Sequence, residues 1–272
     1  MTSTTPLPSE LPRRHVGDGL AVWQGGAGPS LLLLHGVGLR AEAWRPLLPL
    51  LTDRFSVTAV DMPGHGASAL LADETSGLGA YVNALEDVFE LLDGPVTLVG
   101  HSMGAMIAIE LASRHRDDVS ALVAVNAVFD RPAAASAAVK ARVAQVSDGA
   151  LIDPTATVAR WFGSDPAEQE AVMAANCSAW LRANDPVAYR RAYATFANEG
   201  GPSKQLLATL EMPALFITGA DDPNSTPDMS RAMAAHVPKG RAVVVDHARH
   251  MLPMTHAETL ARAVIDHSKS AI

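Results

Sequence analysis

The chain has 272 residues, with 21 Lys and Arg against 29 Asp and Glu, giving a formal charge of −8. Apolar residues make up 48% and charged residues 18%, the make-up of a packed globule and not of a disordered chain. The acidic balance argues against a nucleic-acid surface, and the single cysteine, Cys177, excludes an intrachain disulfide and a Cys-pair metal site. Residues 1–19 hold prolines and two arginines but no apolar stretch of signal-peptide type. The run Leu31–Leu34 is far short of the roughly 20 residues of a membrane span. The expectation is a soluble, cytoplasmic protein that handles a small molecule, with neither membrane nor nucleic acid as partner.

Short apolar runs alternate with amphipathic segments of helical length, which predicts a mostly parallel sheet covered by helices. Strands are expected at Ala21–Gln24, Ser30–His35 and Phe55–Asp61, with a helix over Ala41–Leu51 between the last two. A helix over Leu78–Leu92 precedes a strand at Pro95–Gly100, and a helix over Met103–Arg114 precedes a strand at Val119–Asn126. The alternation then stops. From Asp130 to Thr209 the chain offers Ala-rich, Arg-bearing helical stretches, punctuated by Asp153-Pro154, Asp165-Pro166 and Asp185-Pro186. Such pairs mark turns and helix starts. The rhythm resumes with strands at Ala214–Gly219 and Arg241–Asp246 and helices over Pro227–His236 and Thr255–Ser268. The predicted organisation is one α/β core, residues 1–129 and 210–272, interrupted by a helical cap at 130–209.

Gly100-His101-Ser102-Met103-Gly104 fits the G-x-S-x-G pattern between a predicted strand and a predicted helix. A serine on such a corner is held in strained backbone geometry, its hydroxyl standing proud above a helix N-terminus. A serine hydroxyl needs a base to become a nucleophile, and the base needs an orienting acid. Both must sit at the C-terminal ends of strands, where the loops of an open sheet gather. Two segments qualify: Gly219-Ala220-Asp221-Asp222-Pro223 and Asp246-His247-Ala248-Arg249-His250.

At this point the chain resembles an α/β-hydrolase-fold serine hydrolase. The matching pieces are His35-Gly36-Val37-Gly38 followed by Trp44, Asp61-Met62-Pro63-Gly64-His65-Gly66-Ala67-Ser68, the elbow at 100–104, Gly219-Ala220-Asp221-Asp222 and Arg249-His250-Met251. The resemblance implies an α/β-hydrolase fold with a helical cap over the site. It implies Ser102 as nucleophile, Asp222 as the acid and His250 as the base, leaving Asp221, His247 and His256 outside the reaction. It also implies an oxyanion hole from the backbone N–H groups of Met103 and Val37, with His35 bracing the second loop. Thr255 departs from the family, which commonly has Glu there.

The expected activity is hydrolysis of a small or medium carboxylic ester or lactone through an acyl-enzyme, with no cofactor and no metal. Within the fold, Ser102 disfavours aspartate-nucleophile enzymes. His101 and Met251 stand where carbon–carbon bond hydrolases commonly carry Asn and Trp, which demotes that class. A cofactor-free perhydrolase would use the same triad, and a non-catalytic receptor on a hydrolase scaffold is the reading from another class. The segments Arg160-Trp161-Phe162 and Asn184–Tyr189 are similar to oxoadipate enol-lactone hydrolases, which favours lactones. Gly64–Ala69 matches the dinucleotide fingerprint G-x-G-x-x-A only formally, because no helix is expected to open there. For substrate binding, Trp161 or Phe162 is expected to line the acyl pocket with Val37, Met103 and Met251.

Overall fold

The computed structural model describes residues 11–71, 77–145 and 153–269. The first ten residues, on which the reading of the N-terminus partly rests, lie outside the described residues. Eight strands, β1 (Arg14–Val16), β2 (Leu20–Gly25), β3 (Ser30–Leu34), β4 (Ser56–Val60), β5 (Val96–His101), β6 (Val119–Val125), β7 (Ala214–Gly219) and β8 (Gly240–Val245), form one sheet. Their order is β1-β2-β4-β3-β5-β6-β7-β8; β1–β2 and β2–β4 are antiparallel and the remaining pairs are parallel.

The apolar runs read as they do because both faces of the sheet are covered. In β3, Leu32 and Leu34 enter one core while Leu31 and Leu33 enter the other. The same alternation sends Leu122 and Phe216 to the first core and Val123 and Ile217 to the second.

In chain order the helices are α1 (Leu48–Leu51), α2 (Leu78–Phe89), α3 (Met103–Arg114), α4 (Ala133–Gln145), α5 (Thr155–Phe162), α6 (Glu168–Ala183), α7 (Pro186–Asn198), α8 (Lys204–Ala208), α9 (Pro227–His236), α10 (Leu252–Thr255) and α11 (Ala257–Lys269). Helices α2, α3 and α9 supply Leu85, Ile107 and Met233 to the first core, and α1 and α11 supply Leu51 and Leu260 to the second. No described helix is long and apolar enough to cross a membrane.

Helices α4–α8 fall between β6 and β7, and Phe162, Leu181 and Phe196 join the core on the Leu32 side of the sheet. The inserted helices therefore pack on the core that the sheet already builds. The Asp-Pro reading has its local cause at α7, where Asp185 accepts from the Ala188 N–H at 2.9 Å and Pro186 takes the first helical position.

Three expectations need correction. Strand β1 was not anticipated, because it is only three residues long and two of them, Arg14 and His15, are polar and exposed. Ala41–Leu51 is not one helix but a 3₁₀ turn at Ala41–Trp44 followed by the single turn α1. Pro46, which brings no N–H, falls in the break. The last helix begins at Ala257, because the separate turn α10 ends at Thr255.

From β3 the chain moves to β4 on one side, then crosses back to β5 on the other. Such a reversal opens a crevice at the C-terminal ends of β3 and β5. The site grows from that crevice.

Candidate active site

Ser102 stands between the end of β5 and the start of α3, with φ +55° and ψ −118°. A side chain in that region costs about 1–3 kcal/mol unless its surroundings enforce it. Here they do: the Ser102 N–H is tied to the Val125 carbonyl at 2.8 Å, and α3 begins at the next residue. The glycines on either side serve close approach. A Cβ on Gly100 would collide with the Gly104 carbonyl, and one on Gly104 with the Leu34 carbonyl.

The loop after β7 carries Asp222 and the loop after β8 carries His250. The structure brings them to the serine: His250 Nε2 is 3.2 Å from Ser102 Oγ, and His250 Nδ1 is 2.8 Å from Asp222 Oδ2. All three residues are at most 4% exposed. A carboxylate only accepts, so Nδ1 carries the imidazole proton and Nε2 is left to accept from the serine hydroxyl. Burial works against charge on Asp222, but the neighbouring His250 and hydrogen bonds from His250, the Asn224 N–H and the Asn126 amide hold its carboxyl below the ordinary range. Asp221 is exposed, as is His247.

Two supporting residues were not anticipated. Asn126, at φ +50° just past β6, donates through Nδ2 to Asp222 Oδ2 at 2.8 Å and to Thr218 Oγ1 at 3.2 Å. The only signal for it was an Asn closing an otherwise apolar strand. His101 lies 2.8 Å, through Nε2, from the backbone carbonyl of His250. Burial and then the neighbouring His250 push its pKa down to about 3, so the ring stays neutral and Nε2 carries the donated proton.

The loop after β3 holds Val37. Among the described residues, neither the Val37 N–H nor the Met103 N–H meets a protein acceptor. The loop around Val37 is pinned on both sides. Gly38 donates its N–H to His65 Nε2 at 2.9 Å, and Asn184 Nδ2 on the inserted segment donates to the Gly38 carbonyl at 2.9 Å. His35 Nε2 accepts the Met62 N–H at 2.9 Å, and burial, then the neighbouring His65, pushes its pKa down to about 3. Gly64–Ala69 is a turn that wraps Asp61: the Ala67 N–H reaches Oδ2 at 3.0 Å, and a Cβ on Gly66 would strike the carboxyl. No helix opens there.

A cavity of about 240 Å³ opens at Ser102 and His250, below the roughly 300–1,000 Å³ of clefts that hold drug-sized ligands. Val37, Trp161, Tyr193 and Phe196 form part of its wall. The Trp161 ring lies 6.0 Å from the His250 ring, tilted by 30°. Phe162, Met103 and Met251 do not line this cavity; they are at most 5% exposed and belong to the core. Adjacent helical residues diverge by about 100°, so Trp161 and Phe162 face different surroundings. Three arginines, Arg131, Arg142 and Arg160, also line the cavity, and sequence reasoning gave them no role. Among the described residues no cluster of three His, Cys, Asp or Glu is placed to hold a metal ion.

Known proteins resemble this chain over most of its length. An "(E)-2-((N-methylformamido)methylene)succinate hydrolase" of Acinetobacter baylyi is 37% identical over 240 residues, covering 88% of this chain and 90% of that protein. A pimeloyl-[acyl-carrier protein] methyl ester esterase of Neisseria meningitidis serogroup C is 28% identical, covering 85% and 90%. Among solved structures, the enol-lactonase of Burkholderia xenovorans LB400 superposes with a TM-score of 0.84 at 22% identity, over 95% of this chain and all of that one. A family model described as the alpha/beta hydrolase family matches residues 31–263, and together with the Acinetobacter relative this shows that the chain belongs to that family.

Proposed function

We propose that this chain is a serine hydrolase that cleaves a small carboxylic ester or lactone through an acyl-enzyme, with the helices of 130–209 as a cap over a core formed by 1–129 and 210–272. The observation that carries the reading is the buried relay from Ser102 Oγ to His250 Nε2 at 3.2 Å and from His250 Nδ1 to Asp222 Oδ2 at 2.8 Å. His250 takes the hydroxyl proton as Ser102 Oγ bonds to the substrate carbonyl carbon. The negative charge passes to the carbonyl oxygen, for which the N–H groups of Val37 and Met103 are the donors. His250 returns its proton to the leaving oxygen, the C–O bond breaks, and water, deprotonated by His250, hydrolyses the acyl-serine. Asp222 holds the tautomer and stabilises the imidazolium throughout.

The cavity of about 240 Å³ supports a small substrate. A second reading is favoured by the Acinetobacter relative, whose name specifies a succinate carrying an N-methylformamido group. On that reading the same steps act at an amide carbonyl, and the leaving atom is nitrogen. The test is a fluorophosphonate probe with tryptic mapping, beside a panel of short esters, lactones and N-formyl amides. Labelling at Ser102 with turnover of at least one class is expected. A protein that is folded, unlabelled and inert to the whole panel would sink the reading.

A further inference from the structure

The three arginines of the cavity are the feature that acyl-enzyme chemistry leaves unused. Arg131, Arg142 and Arg160 share one small wall with Ser102 and His250, and among the described residues no acidic side chain lines that cavity. Among the described residues none of the three forms an ion pair. In a chain whose net charge is −8, this is a local concentration of positive charge that no acidic side chain offsets among the described residues.

Their hydrogen bonds separate their roles. Arg131 is a strut: Nη1 and Nη2 go to the Phe196 carbonyl, both at 3.3 Å, and its guanidinium carbon lies 4.5 Å from the Phe196 ring centroid. Arg142 donates through Nε to Tyr193 Oη at 3.0 Å. Among the described residues both of its terminal nitrogens are unspent. Arg160 donates through Nη2 to Thr157 Oγ1 at 3.0 Å, and among the described residues its Nε and Nη1 meet no acceptor. A guanidinium carries five N–H groups in a planar fork that matches a carboxylate in bidentate fashion. Tyr193 fixes Arg142 so that its fork is presented with little entropy left to lose. Burial, with the field of Arg142 added, holds Arg160 below the usual guanidinium range, so the like charges are unfavourably placed until an anion joins them.

We propose that this wall is an anion-recognition subsite, in which Arg142 and Arg160 bind a carboxylate of the substrate distant from the bond that Ser102 attacks. The inference deepens the serine-hydrolase reading and rests on it for turnover. The substrate class is then a small half-ester, lactone or amide of a dicarboxylic acid. Neutral esters of the same size lack the group that the wall is built to meet.

The test compares monomethyl succinate with methyl 4-methylpentanoate, in which an isopropyl group replaces the free carboxylate. The wild-type kcat/KM should favour the anion by about 10–100-fold, the range of a hydrogen bond to a charged group. In Arg142→Gln and Arg160→Gln that ratio should collapse towards one, chiefly through KM. Arg142→Lys should keep part of it, as charge without the fork. Calorimetry with succinate on Ser102→Ala reads the subsite without turnover: binding is expected there and should be lost when Arg142→Gln is added. If neither ester is turned over but succinate binds and depends on Arg142, the subsite stands and the ester chemistry fails. A wild-type enzyme that prefers the neutral ester, or folded arginine variants with an unchanged ratio, overturns the subsite while leaving the serine reading intact.

Discussion

The ring of His101 donates to the backbone carbonyl of His250 across 2.8 Å, so the residue before the serine holds the chain that carries the imidazole. The two rings lie 5.0 Å apart at the centroids. One segment, β5 and its turn, thus sets both ends of the 3.2 Å contact between Ser102 and His250.

His101→Ala removes the donor and leaves a buried carbonyl unpaired, at a cost of about 1–3 kcal/mol. For a chain of this size class each kcal/mol lowers Tm by about 2–4 °C. Misplacing the imidazole by about an ångström is worth up to 10²-fold in rate, so kcat should fall about 10–100-fold with KM little moved. His101→Gln, whose amide can reach the same carbonyl, should recover part of the loss. Wild-type kcat in His101→Ala would show the clamp to be idle.

Substitution at the elbow separates strain from chemistry. Ser102→Ala should lower kcat by about 10³-fold or more with the fold intact. Ser102→Gly should be equally inactive but more stable than Ser102→Ala, because glycine adopts φ +55° without the penalty of about 1–3 kcal/mol. Denaturant midpoints of the two variants, measured side by side, check this. Equal midpoints would mean that the turn is not strained.

Much of this was legible because it is local or periodic. The buried strands announced themselves as continuous apolar runs, since both faces of the parallel sheet are covered. Spacing and chain order pointed to Ser102 and to the two late loops, and the family resemblance then chose Asp222 over Asp221 and His250 over His247. Strand β1 was invisible because three residues, two of them polar and exposed, carry no hydrophobic period, and only pairing with β2 makes them a strand. Arg131, Arg142 and Arg160 lay in a segment read only as Ala-rich, Arg-bearing helical stretches. Nothing in a helical period says which cation turns toward a cavity that Val37, Ser102 and His250, far away in sequence, complete. Asn126 was hidden for the same reason, since its partner Asp222 lies 96 positions on in the chain, on the loop after the neighbouring strand β7.

Stability should fall on acidification well above the carboxylate range. Burial, and secondarily a histidine neighbour, pushes His35 and His101 down to about 3, and burial also lowers His65. In the unfolded chain these imidazoles take up protons from about pH 6.5 downward, while the native state refuses them at His35 and His101 until about pH 3 and takes up the His65 proton only below the ordinary imidazole range. The unfolded state therefore binds more protons across that window, so stability is full above it and is lost as pH falls through it. Each such group contributes a slope of about 1.4 kcal/mol per pH unit. Asp61 and Asp222, both held below the ordinary value of 3.8, extend the loss to lower pH. Urea midpoints should drop clearly between pH 7 and pH 5, and less so in His101→Gln. A midpoint constant over that range would contradict the buried neutral histidines.

The last prediction concerns the two neighbouring aromatics of α5, which their positions on one helix turn to different tasks. Trp161 lines the cavity beside His250, so Trp161→Ala enlarges the space next to the serine. Longer or branched acyl groups should then gain on short ones, with kcat/KM ratios shifting about 10–200-fold for the methylene that newly fits. Phe162 packs into the core and does not line the cavity, so Phe162→Ala should instead cost about 3–5 kcal/mol of stability and leave the substrate ranking alone. Kinetics on a homologous series of methyl esters, paired with denaturant unfolding of both variants, separates the two. A ranking that changes in Phe162→Ala and stays fixed in Trp161→Ala would reverse the assignment and move the substrate to the other side of α5.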